Sequence, residues 1–433
     1  SPFRFLATEP MVLGLVKGLA QDSWIWEIND PLKPRQLKGQ ELTNSDDLRR
    51  YLYAPKDSFQ APSDLRFIDA ESGMVPKKTE VEYLAIGPQE LLTPLKPLLD
   101  LRREEGLTVE AIEVEKIYDQ SYGFAEPHAI RTYLSHSAQE YPSLRYVLLV
   151  GDATYDPAQN ITRAGLNRLP TFFIDTIFGG QTSTELPFSV FDQPDLSFLE
   201  SATSFQPTIA VGRLPATSPQ QVRQWVSKVI TYEQEKMKPH TKTLLAIADP
   251  HEDYFARDAT AFTELWTAPM RKELFLPTAS EDDLPQKIQG YFQQDYQIIA
   301  YFGHGAIDLW GKDEIFTAQE AHRLSGQVSY PIVLSFTCLS GYYIHPEVLS
   351  LTEALLWNPR GGAILVIAPT SLTLAEDQSF LWKAFVESYQ RHEKERIGDV
   401  WRDIIARIHL KNEGVRDVVL TYTLFGDPAM TLP

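Results

Sequence analysis

The chain has 433 residues, 43% of them apolar, and its 40 basic against 58 acidic side chains leave a net charge of −18. At roughly 100–200 residues per domain it holds more than one domain or subdomain, and its charge has the wrong sign for non-specific nucleic-acid binding, which Lys and Arg drive by neutralising phosphates. No apolar run approaches the ~20 residues that a membrane helix needs, so no membrane span is expected in this chain.

Residues 1–20 lack the charged start, sustained apolar centre and small-residue cleavage site of a signal peptide, and the first residue is not Met. The chain is therefore expected to be a processed piece of a larger precursor. Residues 1–77 interleave aromatic and charged residues with prolyl turns (Trp24, Trp26, Asp30-Pro31, Lys33-Pro34) and show no helical period, which predicts part of a small β domain. From about residue 80, short Val/Ile/Leu/Tyr runs alternate with amphipathic stretches, the pattern of a parallel-rich sheet flanked by helices. In a first α/β subdomain, residues 78–240, strands are predicted at 81–86, 108–114, 145–150 and 208–211, and helices at 90–105, 129–138 and 219–236. Residues 153–206, rich in Thr, Asn, Gly, Pro and Ser, read as irregular loops. Past a junction at 236–240, a second α/β subdomain, residues 241–433, places strands at 243–248, 296–302, 332–336 and 363–367. Its helices are predicted near 258–266, 317–325, 350–357, 377–389 and 399–410.

The single cysteine, Cys338, excludes an internal disulfide framework and a Cys-rich zinc site, and the histidines never form a His-Glu-x-x-His pair. The apolar run 296–302 ends in Gly303-His304-Gly305, and the run 332–337 ends in Cys338. With a crossover helix between the two strands, His304 and Cys338 emerge side by side from one sheet edge. The chemistry fits that placement. A thiol of ordinary pKa is mostly protonated at neutral pH, and a neighbouring imidazole takes its proton. The N–H groups of Gly305 and Cys338 are then placed to bind the oxyanion formed when the thiolate attacks a carbonyl. Against this stands the plainer reading of a small core thiol and a satisfied polar histidine.

Tyr301-Phe302-Gly303-His304-Gly305, Trp310-Gly311 and Phe336-Thr337-Cys338-Leu339-Ser340-Gly341 resemble the His and Cys motifs of the gingipain-type, caspase-like cysteine peptidases. The likeness extends to Gly106-Leu107, Leu149-Val150-Gly151-Asp152, Val211-Gly212-Arg213-Leu214-Pro215, Thr352-Glu353-Ala354-Leu355 and Thr423-Leu424-Phe425-Gly426-Asp427-Pro428, in the same order over about residues 78–433. The resemblance implies a caspase-like α/β fold with two subdomains and the activity of a cysteine endopeptidase. It makes Cys338 the nucleophile, His304 the proton shuttle, and Gly305 and Cys338 the oxyanion donors. Asp249, just past the strand at 243–248, matches the acid that orients the imidazole, with Asp152 as the alternative.

No organic cofactor is implied, although Asp152, Asp156, Asp192 and Asp195 are candidates for structural calcium of the kind gingipains carry. Tyr342, Asp253 and Asp258 are candidate substrate-binding residues, with Tyr343 and His345 also close to the nucleophile. His251 reads as a surface residue, and no chemical role is assigned to Glu185. The family implies a polypeptide substrate and a place outside the cell or at its surface. Two rival readings remain at this level: a sortase-like transpeptidase that processes secreted cargo with the same Cys and His, and a non-enzymatic interaction module of the same fold. Because the stretch after Asp249 places Phe255 where Arg-specific relatives have an acid, no strong Arg or Lys preference is expected.

Overall fold

The computed structural model describes residues 3–7, 12, 23–29, 33–37, 49–55 and 80–433, apart from 122, 158–159, 162–166, 194, 237–241 and 393–394. Its internal contacts divide the chain into two units, Ser1–Glu71 and Ser72–Pro433. The junction expected at 236–240 lies, Lys236 excepted, outside the described residues.

In the first unit, β1 (Phe3–Ala7), β2 (Ser23–Glu27), β3 (Arg35–Leu37) and β4 (Arg49–Pro55) pair antiparallel in the order β1-β4-β2-β3. Val12, Ile25, Leu37 and Tyr51 form its small core, and Glu27 gathers Arg35 at 2.7 Å and Arg49 at 3.1 Å. Ile25 stands opposite Leu37 on one side and Tyr53 on the other, with Tyr51 two residues along β4, so these strands bring their apolar side chains to one face.

The second unit is built on one sheet. Its strands are β5 (Tyr83–Gly87), β6 (Val109–Glu113), β7 (Tyr146–Val150), β10 (Ala210–Leu214), β11 (Thr243–Ala248), β12 (Arg271–Phe275), β13 (Ile298–Phe302), β16 (Ile332–Phe336), β17 (Leu365–Pro369) and β18 (Tyr422–Phe425). The spatial order is β12-β11-β13-β16-β17-β18-β10-β7-β5-β6. Every neighbouring pair is parallel except β17 and β18. The strands expected in two subdomains are therefore hydrogen-bonded into one ten-stranded sheet, and the two sets run in opposite directions on either side of the β17–β18 pair. The inner strands are buried along their whole length, which is why they read as near-continuous apolar runs. β12, at one edge, exposes Arg271 and Lys272, charges that discourage further strand pairing.

Helices cover both faces. The helix Asp253–Leu265 presents Phe262 to Phe302, Phe336 and Trp382, with ring centroids 5.3–6.3 Å apart. The crossover helix Ala318–Arg323 and the helix Leu351–Trp357 both start at capping boxes, Thr317 with Glu320 and Ser350 with Glu353. A hairpin, β8 (Phe172–Thr176) and β9 (Gly180–Thr184), stands within residues 153–206, where composition predicts irregular loops, and a shorter antiparallel pair, β14 (Leu309–Trp310) and β15 (Phe316–Thr317), lies between β13 and β16. Thr182 donates to Thr370 O, and Thr370 Oγ1 donates to Ser183 O at 2.8 Å, which fixes the hairpin to the carboxyl end of β17.

Buried charges tie distant segments together. Arg102 is fully buried and reaches Asp427 at 2.8 Å, Glu233 at 3.0 Å and Glu105 at 2.7 Å. Glu185, which had no assigned role, accepts two hydrogen bonds from Arg213 Nη2 at 3.0 and 3.1 Å and one each from Tyr343 and Thr171. Its part is structural: it neutralises a buried arginine beneath the chain that follows Cys338.

Candidate active site

β13 and β16 are neighbours in register, Phe302 opposite Phe336, so the residues two positions on, His304 and Cys338, leave the same edge side by side. The Gly303 N–H donates to Phe336 O at 3.2 Å and carries the ladder one residue further. The glycines flanking His304 are required by close approach: a Cβ on Gly303 would lie 2.5 Å from Asp249 Cβ, and one on Gly305 2.3 Å from Thr337 Oγ1. Leu339, just after Cys338, has φ of +56°, a left-handed conformation that a branched side chain adopts only where its surroundings impose it. Here the Leu339 N–H is fixed to Ser371 O at 3.1 Å and the Gly341 N–H to Pro369 O at 2.9 Å. The Gly305 and Cys338 N–H groups make no hydrogen bond within the described residues. Both N–H groups are thus unengaged.

The Cys338 sulfur lies against the main chain of Thr373, donating to its O at 3.4 Å and accepting from its N at 3.5 Å. Burial pushes the thiol up, against the lowering pull of the Thr373 N–H and side chain. Burial, and then the Lys312 ammonium, push the His304 imidazole down, against Asp249 and Glu252. At neutral pH the pair at rest is therefore neutral thiol and neutral imidazole. His304 Nε2 is buried without a hydrogen-bond partner, and the ring packs edge-on against Phe255 at 5.0 Å.

Asp249 is 1% exposed, and its carboxylate meets His304 through the main chain rather than through the ring. Its Oδ2 accepts from the His304 N–H at 3.1 Å and from Tyr301 Oη at 3.3 Å, while Oδ1 accepts from the His251 N–H at 3.0 Å. Tyr301 Oη is also 2.8 Å from His304 O. Asp249 thus fixes the backbone that carries the imidazole. The carboxylate facing the ring belongs to Glu252, which sequence reasoning missed: its Oε1 is 3.9 Å from His304 Nε2 and 3.3 Å from Lys312. The sequence held one signal for it, an acid three residues past Asp249 at the cap of the next helix. His251, expected at the surface, is only partly exposed and bridges Asp249 at 2.9 Å and Asp313 at 3.0 Å.

Asp152, the alternative acid, follows β7, whose carboxyl end points to the opposite edge of the sheet. Its carboxyl is buried and raised by that burial and by the nearby Glu353. Asp156 accepts from Asn160 and from the Ile161 N–H, and Asp195 from Ser197, so both serve local turns. Among the described residues no three acidic, His or Cys side chains converge as a metal site. Tyr342 is half-buried with its ring 6.3 Å from His345, whereas Tyr343 is in the core on Glu185. Asp253 is exposed in the first helical turn, and Asp258 is half-buried near Lys383 and Arg257.

The sequence profile of peptidase family C25 matches residues 76–433. No curated protein matches the sequence. The chain is similar in structure to the Arg-specific cysteine proteinase gingipain R, with a TM-score of 0.62 and 17% identity over 82% of this chain and 79% of that one. It is also similar to the complex of RgpB pro- and mature domains from Porphyromonas gingivalis, with a TM-score of 0.63 and 17% identity over 81% of this chain and 79% of that one. At such identity the likeness is one of fold, that of the caspase-like gingipains.

Proposed function

The chain belongs to peptidase family C25, and on that premise we propose that it is a cysteine endopeptidase that cuts polypeptides through a thioester. The observation that carries the proposal is the in-register exit of His304 and Cys338 from neighbouring parallel strands, beside two unengaged N–H groups. As Cys338 Sγ attacks the peptide carbonyl carbon, its proton passes to His304, and the carbonyl oxygen takes up the negative charge against the Gly305 and Cys338 N–H groups. His304 returns the proton to the leaving amine; water then hydrolyses the thioester, giving its proton to the same imidazole. Because the resting pair is neutral, the proton moves during attack and not before it. Glu252 steadies the imidazolium so formed, and Asp249 acts as a positioning residue. The resemblance to gingipains further supports a site of action outside the cell or at its surface.

The test is incubation with a diverse peptide library, followed by mass spectrometry. Wild type is expected to release free carboxylic acids, Cys338→Ala to release none, and His304→Ala to act at least ~10³-fold more slowly. Products carrying a new amine would assign the site to transpeptidation. Cleavage that survives in Cys338→Ala would overturn the reading.

A further inference from the structure

The surface around Cys338 is apolar in a way that its chemistry does not require. Thr373, whose main chain brackets the sulfur, turns its own side chain inward, donating to Thr337 O and accepting from Gln378. Its neighbours Leu372 and Leu374 are left 36% and 43% exposed. The β8–β9 tip closes on the same loop: Thr176 and Ser371 hydroxyls lie 2.9 Å apart, and Gly179 abuts Ser371 and the Leu372 amide. That tip presents Ile177 and Phe178, 49% and 48% exposed, and is held in place by the Ile177 N–H on Asp417 at 2.8 Å. From the imidazole side comes Tyr254, 36% exposed, its ring tilted against and 4.4 Å from that of the Phe255 that packs on His304. Exposed apolar side chains from three separate elements therefore border one nucleophile, a concentration that marks a binding surface.

Asp253 is exposed to solvent in the first helical turn, and the other carboxylates near the site are already engaged. Asp249 holds His304, Tyr301 and His251; Glu252 is shared between Lys312 and His304; Asp258 has Lys383 and Arg257 close by. A guanidinium or ammonium entering here would shed water without a partner. Resting on the peptidase reading, we propose that the residue whose carbonyl Cys338 attacks carries an apolar side chain, Leu, Met, Phe or Tyr, seated on Leu372 and Leu374 beneath the β8–β9 tip. The fit is one of apolar area against apolar area, and a shortened side chain forfeits it methylene by methylene.

The experiment uses the full chain and a peptide set varied only at the residue before the scissile bond. Expected kcat/KM is at least tenfold higher for Leu or Phe than for Ala, Asp or Arg. Leu374→Asp and, separately, Leu372→Asp should lower the Leu-peptide value at least tenfold and improve the Arg peptide, while the denaturant midpoint stays at the wild-type value. Unchanged preference in both variants would overturn the inference. So would cleavage confined to Arg or Lys and lost in Asp253→Asn, a result that leaves the peptidase reading standing. A chain that cuts no peptide, and whose Cys338 is labelled by neither a leucyl nor an arginyl peptide electrophile, would overturn both.

Discussion

Asp249 and Glu252 stand three positions apart and reach His304 through different atoms, so their removal should have different consequences. Asp249→Asn places an amide among N–H donors that need an acceptor; it should lower the melting temperature, costing about 1–3 kcal/mol, along with kcat. Glu252 is partly exposed, and Glu252→Gln should leave stability within about 0.5 kcal/mol while lowering kcat roughly tenfold. Denaturation curves and single-turnover rates on both variants separate the two roles; equal destabilisation would show that they are alike. Cys338 and His304 were legible in the sequence as neighbours because each ends an apolar run, and strand register alone then brings them together. Glu252 was not, because what selects it is the direction of a side chain at a helix cap. The apolar spacing of the neighbouring strands says nothing about that direction.

At the scale of elements, the strands that sequence reasoning found are those with long apolar runs, and those it missed are instructive. β12, Arg-Lys-Glu-Leu-Phe, is an edge strand whose charges mask it. β18 follows the helix Glu413–Thr421 without a break, so one apolar stretch changes period from helix to strand in mid-course. The helix Leu284–Phe292 rests on only Leu284, Ile288 and Phe292 as buried contacts. The capping box of Leu351–Trp357 carries a cost of its own. Glu353, which caps the helix through Ser350, is buried near Asp152 and pushed up to about 7, burial outweighing the two Ser350 bonds that lower it. With a folded pKa above the unfolded one, the folded state holds the extra proton. Stability therefore falls as pH rises from the ordinary carboxylate range through about 7. Glu353→Gln keeps an acceptor for Ser350 and removes the charge. It should be more stable than wild type at pH 8, by on the order of 1–3 kcal/mol, with the gap closing toward pH 5. Denaturant midpoints measured at the two pH values check this, and a gap that widens on acidification would refute it.

For the whole molecule, cohesion of the second unit depends on buried ionic links between segments far apart in sequence. Arg102 joins its own helix, Lys96–Glu104, to Glu233 on the helix Pro219–Lys236 and to Asp427 just past β18. Arg102→Ala would strand two buried carboxylates and should cost about 3–5 kcal/mol, read as a lower denaturant midpoint; a loss below about 1 kcal/mol would show that the site repacks or hydrates. β18 itself, central in the sheet, comes after every other strand in the chain. During synthesis the facing edges of β17 and β10 therefore stay open until residues 422–425 have left the ribosome. The main chain that supports Cys338, through Pro369 and Ser371, rests on that same β17 edge, where the Thr370 N–H is bonded to Thr421 O at 3.0 Å. A growing polypeptide thus carries its thiol for nearly ninety residues before the scaffold behind it is finished. The order of translation acts as a timer, delaying assembly of the surroundings of Cys338 until residues 422–425 have been made.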